Sequence, residues 1–385
     1  MNKSNHRLSI KPRVFVAISG GVDSSVAAAL LKKQGYDVTG VFMKNWTDNR
    51  FNCPYKEDRE SAMRVAAVLD IPFYTWNFEA EYKKEVVDYM IKGYRSGITP
   101  NPDVMCNQKI KFNLFLKRAI KEGADYIATG HYVKNQKSKI KNQNDKLKLK
   151  NDKVISIRQL AERDLKFQDT YQLFQAEDET KDQSYFLWTL NQKQLKYCLF
   201  PIGDYLKTDV RKMAKKIGLL TANRPDSQGI CFIGKVKLKD FLSNYIPKRS
   251  GDILSIEGEK LGTHEGAWFY TIGQRQGLGI SGGPYFVVSK DIKKNRIYVT
   301  KDKFSSELMT KKILVHKINW INQSISKNIR AMIRYGGEIV DCSIKEIKNK
   351  KIEVTFKKSQ WAVAVGQSIV FYSKTGEMLG GGVVT

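Results

Sequence analysis

The stretch Ser19-Gly20-Gly21-Val22-Asp23-Ser24-Ser25 constrains this chain more than any other. It follows the apolar run Val14–Ile18 and precedes Val26–Leu31, so it reads as a glycine turn between a strand and a helix. Such a turn is an anion site. Glycines let backbone N–H groups approach phosphate oxygens, the helix N-terminus adds partial positive charge, and the serines add hydroxyl donors. Asp23 beside phosphate is repulsive unless a cation lies between them, which points to a Mg²⁺-bound nucleotide. The plainer reading is a tight strand–helix turn. A lone Gly-Gly would go no further than that; the whole stretch in this context does. The Gly-x-x-x-x-Gly-Lys-Ser/Thr of Walker loops is absent.

The first ~200 residues alternate strand and helix. Strands are expected at Val14–Ile18, Asp37–Met43, Pro72–Trp76 and Tyr126–Thr129. Helices are expected at Ser24–Lys33, Glu57–Leu69, Glu79–Tyr94 and Lys109–Glu122, with helical character again at Thr180–Leu190. Strands separated by helices imply right-handed crossovers and a parallel sheet, whose ligands bind beyond the strand carboxyl ends. That puts Ser19–Ser25, Met43 and Gly130-His131 on one rim. Two segments interrupt the pattern. Thr99-Pro100-Asn101-Pro102-Asp103 reads as a stiff loop. The tract Lys134–Lys153 holds eight Lys and two Asp and reads as a solvated, disordered insertion.

After Leu206 the character changes. Thr208–Ile217 is a basic helix, Ala222–Gly234 a polar loop, and Asp252–Gly283 a glycine-rich stretch with short strands. From Val287 onward, short alternating runs separated by turn signals predict a small antiparallel barrel. The expected organisation is α/β: a parallel-sheet domain over 1–206 with a basic inserted loop at 133–170, a small mixed domain over 207–283, and a β-barrel over 284–385.

The net charge of +27 favours a polyanionic partner such as nucleic acid, although a Lys- and Asn-rich composition produces the same excess. No stretch approaches the ~20 apolar residues of a membrane span, and residues 1–13 lack the apolar core of a secretory signal. Five cysteines without a C-x-x-C pair, and four scattered His, give no zinc spacing. The reading is a cytoplasmic protein with reduced thiols and no bound metal of its own.

Cys198 and Cys342 lie in apolar or alternating runs and read as structural; Cys53 stays undecided. Cys106 and Cys231 sit beside polar, Gly- or Pro-rich loop residues. A buried small hydrophobe remains the commoner role of a single Cys. Cys106, however, is expected at a helix N-terminus ahead of Lys109 and Lys111, where a thiolate is favoured.

The opening loop resembles that of ATP pyrophosphatases. Further stretches resemble bacterial tRNA-specific 2-thiouridylases: Phe42–Trp46, Thr99–Asn107, Ala128–Tyr132, Lys181–Phe186, Gly229–Gly234, Gly273–Gly279 and Gly380-Gly381-Gly382. The resemblance spans nearly the whole chain. It implies an adenine nucleotide hydrolase-like first domain and oxygen-to-sulfur exchange at C2 of the wobble uridine, with ATP and Mg²⁺. ATP contacts carry over to Ala17, Ile18, Ser19, Gly20, Gly21, Val22, Asp23, Ser24, Met43 and Gly130. Cys231 would carry sulfur as a persulfide, Cys106 would be the second thiol through a transient Cys106–Cys231 disulfide, and Asp103 would be the general acid/base. RNA contacts carry over to Asn101, Pro102, Asp103, His131, Lys181, Asp182, Gln183, Arg334, Tyr335 and Gln367. The implied partners are tRNA (Lys, Glu and Gln acceptors) and a sulfur donor, either a cysteine desulfurase or a relay protein. The alternatives are another adenylating synthetase that transfers an amide or lysine, and a tRNA-binding protein without catalysis.

Overall fold

A computed structural model describes residues 11–47, 50, 55–139, 169–226, 236–322, 329–348 and 350–385. The first domain is built on a five-stranded parallel sheet. Its strands are β1 (Arg13–Ala17), β2 (Asp37–Lys44), β3 (Phe73–Asn77), β4 (Tyr126–Ala128) and a two-residue strand, Cys198–Leu199, in the order β3-β2-β1-β4-(198–199). β1 is apolar without alternation because helices cover both faces: Val14, Val16 and Ile18 pack on one side, Phe15 and Ala17 on the other. Helix α1 (Val22–Lys33) buries Val26, Ala27, Ala28 and Leu31 against the first of these sides. Helix α2 (Tyr55–Val68) adds Ala62 and Val65.

Residues 102–121 form one helix, starting seven residues earlier than the expected Lys109. Asn101 is its N-cap, accepting the Val104 N–H at 3.2 Å, and Pro102 occupies the first helical position, where the missing N–H costs nothing. Only Thr99–Asn101 is loop. From Cys106 to Phe115 the helix is wound in the wider i→i+5 manner, a form concentrated at functional sites. Thr180–Leu190 is not a helix beyond one short turn, Ser184–Leu187. The Asp182 carboxylate takes the N–H groups of Ala176 and Ser184 and so competes with helical pairing.

The start of the basic tract is also ordered. Lys134–Lys139 forms a strand, β5, paired antiparallel with β6 (Asp169–Phe174); the rest of the tract lies outside the described residues. A mixed four-stranded sheet, Gly251–Ser255, Lys260–His264, Phe286–Asp291 and Arg296–Thr300, makes the middle of the molecule. The C-terminal strands Met309–Trp320, Ile329–Met332, Val340–Ile347, Lys351–Trp361, Ser368–Tyr372 and Glu377–Val384 close into a six-stranded antiparallel barrel, sealed by pairing of the first with the last. β6 pairs with the start of the last barrel strand through Glu377↔Phe174 and Met378↔Leu173.

Candidate active site

Ser19–Ser25 links β1 to α1 on the carboxyl rim of the sheet, and Met43 and Gly130 reach the same rim from β2 and β4. Two glycines are demanded by geometry. Gly20 has φ +81° and packs on the backbone of Asp58, which a Cβ would meet at 2.4 Å. A Cβ on Gly130 would stand 2.5 Å from the Ser24 backbone N, so β4 can close over the start of α1 only with glycine there. Within the loop the Ser24 hydroxyl accepts the Ser19 N–H at 3.1 Å, and the Ser25 hydroxyl donates to the Gly21 carbonyl at 2.7 Å. Ser19 is exposed, Gly21 and Asp23 half-buried, Ala17, Ile18, Val22 and Ser24 buried.

Residues that sequence reading missed surround this loop. Lys207 Nζ lies 2.7 and 2.8 Å from the two Asp23 oxygens, and the Tyr132 hydroxyl donates to Asp23 at 2.8 Å. Burial, then the neighbouring Asp23 carboxylate, pushes the Tyr132 hydroxyl far above its usual range, so it stays a donor. Lys207 also pairs with Asp226 at 2.9 Å, and Asp226 is held in turn by Lys181 at 2.8 Å and Arg211 at 2.7 Å. Arg224 donates to the Gly20 carbonyl at 2.8 Å and pairs with Asp58. Among the described residues no three His, Cys, Asp or Glu cluster as a resident metal site. Asp23 keeps acceptor capacity beyond its three hydrogen bonds, which fits an ion arriving with a nucleotide.

A second group forms at the 102–121 helix. Asp103 is half-buried in its first turn. Cys106 lies a turn further in and is 1 % exposed, so it is not at the helix start or on an exposed loop, where the sequence reading placed it. Cys231 lies outside the described residues. The barrel docks directly on this region. Gln367 Nε2 donates to the Thr99 and Pro100 carbonyls at 2.9 and 3.3 Å. The Tyr185 hydroxyl is shared between the Asn101 side chain and the Ser368 carbonyl, 2.9 Å from the latter. Tyr335 packs on Phe186 with centroids 4.5 Å apart and the rings tilted by 41°, and Arg334 lies over Trp361 at 5.2 Å. Arg334 and Tyr335 occupy the turn after Ile329–Met332 rather than the strand itself, and both are exposed.

The other residues assigned to RNA by resemblance are placed differently. His131 is buried against Phe112 and Phe200, its Nδ1 2.7 Å from the Thr129 hydroxyl; burial, then Lys111, holds its pKa well below the usual value. Asp182 is buried on Ser184 and the Ala176 N–H, and burial raises its pKa. Gln183 binds the backbone of Tyr132 in both directions. Of that stretch, Lys181 alone carries its charge into the site, through Asp226.

A parallel-sheet domain with this loop on its rim, followed by a mixed sheet and a closed barrel, defines a multidomain nucleotide-binding protein. Family models agree: a tRNA methyl transferase HUP domain matches residues 12–235, a tRNA methyl transferase PRC-barrel domain 239–301, and an aminomethyltransferase beta-barrel domain 310–384. The chain is 46 % identical to the tRNA-specific 2-thiouridylase MnmA of Blochmanniella floridana, over 97 % of this chain and 96 % of that one. It is 42 % identical to the protein of the same name from Geobacillus thermodenitrificans, over 100 % and 96 %, and 43 % identical to that of Bacillus subtilis, over 97 % and 94 %. The chain belongs to the tRNA-specific 2-thiouridylase family.

Proposed function

We propose that the protein thiolates C2 of the wobble uridine of tRNA at the expense of ATP. The observation that carries this is the joining of two sites in one body: the anion-binding loop around Asp23, and the Asn101–Cys106 segment, against which the barrel sets Gln367 and, through Phe186, Tyr335. A uridine carbonyl is unreactive, and its oxygen is a poor leaving group. Attack of O2 on the α-phosphate of ATP forms an adenylate and releases pyrophosphate at Ser19–Ser25, where the α1 N-terminus and the serine donors stabilise it. Mg²⁺ carried with the nucleotide would be held by Asp23 and would neutralise charge on the leaving group.

The outer sulfur of a Cys231 persulfide then bonds to C2, and AMP leaves with the old oxygen. Cys106 attacks Cys231 Sγ, which leaves sulfur on C2 and forms a Cys106–Cys231 disulfide that a thiol reductant reopens. Asp103 holds or moves the proton near the base. Tyr335 supports the extruded nucleotide by stacking, and Arg334 holds phosphate. The substrates are tRNAs for Lys, Glu and Gln, the sulfur comes from a cysteine desulfurase or a relay protein, and the compartment is the cytoplasm. No helix among the described residues is long and apolar enough to cross a membrane.

Pyrophosphate release tests this reading. Release that depends on tRNA and is lost in Asp23→Ala supports it. Release without tRNA points to another adenylating synthetase, and binding of tRNA with no release points to a binding protein.

A further inference from the structure

The stretch Gly273–Gly279 has no part in the chemistry above, yet it is a preset loop in the middle of the molecule. The Gln274 side chain accepts the Thr271 N–H at 3.0 Å and donates to the Gln276 carbonyl at 2.9 Å, which fixes the turn. The N–H groups of Gln276 to Gly279 donate to no group among the described residues. Arg275 is exposed and, among the described residues, has no ion pair or hydrogen bond. With Tyr285 the loop lines a hollow of about 410 Å³, and Lys301 Nζ lies 5.4 Å from the Tyr285 ring. Open backbone N–H groups and a free guanidinium around a hollow suit a phosphate.

From this hollow a row of cations and aromatic rings leads to the barrel. Gly273 packs on Trp361, whose ring a Cβ would meet at 2.9 Å. Trp361 lies under Arg334 at 5.2 Å and Lys303 at 6.0 Å. Phe304, with Lys303 5.6 Å from its ring, is 72 % exposed. Three acids stand along the row. Asp302 accepts the Phe304 N–H, Glu307 the Ser305 and Ser306 hydroxyls, and Glu338 pairs with Lys358 at 4.0 Å. Against these three, Arg275, Lys301, Lys303, Arg334 and Lys358 carry five positive charges.

We propose that this loop and row form a second RNA-backbone site, which binds phosphates of tRNA outside the nucleotide held at Tyr335. Arg275 and the Gln276–Gly279 N–H groups take one phosphate, Lys301 and Lys303 take others, and Phe304 supports a sugar or an unpaired base. RNA fits better than an acidic protein, because aromatic rings alternate with the cations and the row is continuous with Arg334 and Tyr335. Phosphate contacts carry no sequence information, so the site contributes affinity and orientation and leaves the choice of base to the Asn101–Cys106 segment.

The site rests on the tRNA reading and on no step of the sulfur chemistry. Equilibrium binding of a tRNA transcript for Glu is measured from about 0.05 to 0.3 M salt, with each protein checked by circular dichroism. The parent chain is compared with Arg275→Gln/Lys303→Gln and with a control, Lys345→Gln/Lys348→Gln. The control lysines are exposed, and Lys345 stands opposite Glu353, eight residues along the neighbouring strand from Trp361. Arg275→Gln/Lys303→Gln should weaken binding roughly tenfold and lower the slope of log affinity against log salt by about 2. The loss should be the same for a transcript with cytidine at the target position, and the control should stay near the parent. An unchanged slope, an equal fall in the control, or a loss confined to one transcript overturns the inference. A parent chain that binds no tRNA would overturn the tRNA reading itself. If the variant does not fold, the unmodified chain decides. Bound tRNA must then slow acylation of the Lys301 and Lys303 amines in peptide mass spectra more than that of Lys345 and Lys348, and equal or absent protection overturns the inference.

Discussion

The ring of Tyr335, in the barrel, lies 4.5 Å from the ring of Phe186, whose carbonyl accepts Asn107 Nδ2 at 3.2 Å, one residue beyond Cys106. An exposed aromatic in the barrel is thus connected by two contacts to the helix that carries Cys106. A nucleotide stacked on Tyr335, as proposed, would be set beside that helix.

Replacing Tyr335 should therefore separate RNA recognition from nucleotide binding. A base–aromatic stack contributes about 1–3 kcal/mol. Tyr335→Ala should lower kcat/KM for tRNA about 5- to 100-fold with ATP affinity unchanged, whereas Tyr335→Phe should stay near the parent. Steady-state thiolation at varied tRNA reads this out, and equal losses in both variants would contradict stacking.

Gln367 holds the Thr99–Pro100 carbonyls from the barrel side. Gln367→Ala removes two hydrogen bonds and should cost about 1–2 kcal/mol of stability. Because the loop it fixes leads into Asn101 and Asp103, thiolation should slow while ATP binding persists. Urea unfolding and calorimetric ATP titration of the same sample check both halves.

Gly130 admits no side chain. With a Cβ 2.5 Å from Ser24 N, Gly130→Ala must push β4 away from α1, at a cost typical of overpacking, about 1–3 kcal/mol. ATP binding should weaken more than tRNA binding, since the displaced atoms are the loop's own donors. Filter binding of each ligand distinguishes the two.

Burial alone would raise the Asp226 carboxyl, but hydrogen bonds from Lys181 and Lys207 outweigh it and hold its pKa at about 2. An unfolded Asp titrates near ~3.9. A folded pKa below the unfolded one adds stability that is complete above the unfolded value and is lost as pH falls through the folded value. The stability difference between the parent and Asp226→Asn should be constant above pH ~5 and shrink between pH ~4 and ~2. Urea unfolding across this range measures it, and a difference that does not change with pH would contradict the assignment.

The sequence made the loop, the parallel sheet and the barrel legible because each rests on local pattern: glycine placement, apolar runs, turn residues. Asn101-Pro102 was also local, yet two nearby prolines suggested a loop where the second begins a helix. The Lys207–Asp23 and Tyr132–Asp23 contacts were not legible, since they join residues 184 and 109 positions apart. Asp23 pointed to a Mg²⁺-bound nucleotide in the sequence; that the Lys207 ammonium also stands beside it was not legible. The resemblance assigned His131 and Asp182 to RNA contact; that both are buried, bonded to Thr129 and Ser184, is seen only in the packing. Pairing of β6 with the start of the last barrel strand depended on a contact that no local signal encodes.

The central claim is that ATP activation and two thiols act on one uridine. Mass spectrometry of nucleosides from tRNA incubated with the protein, ATP and a persulfide donor tests it most directly, with Cys106→Ser and Cys231→Ser alongside. The account predicts 2-thiouridine from the parent chain and none from either variant, while both variants bind ATP as the parent does. Full 2-thiouridine from the Cys231→Ser or Cys106→Ser protein would contradict it.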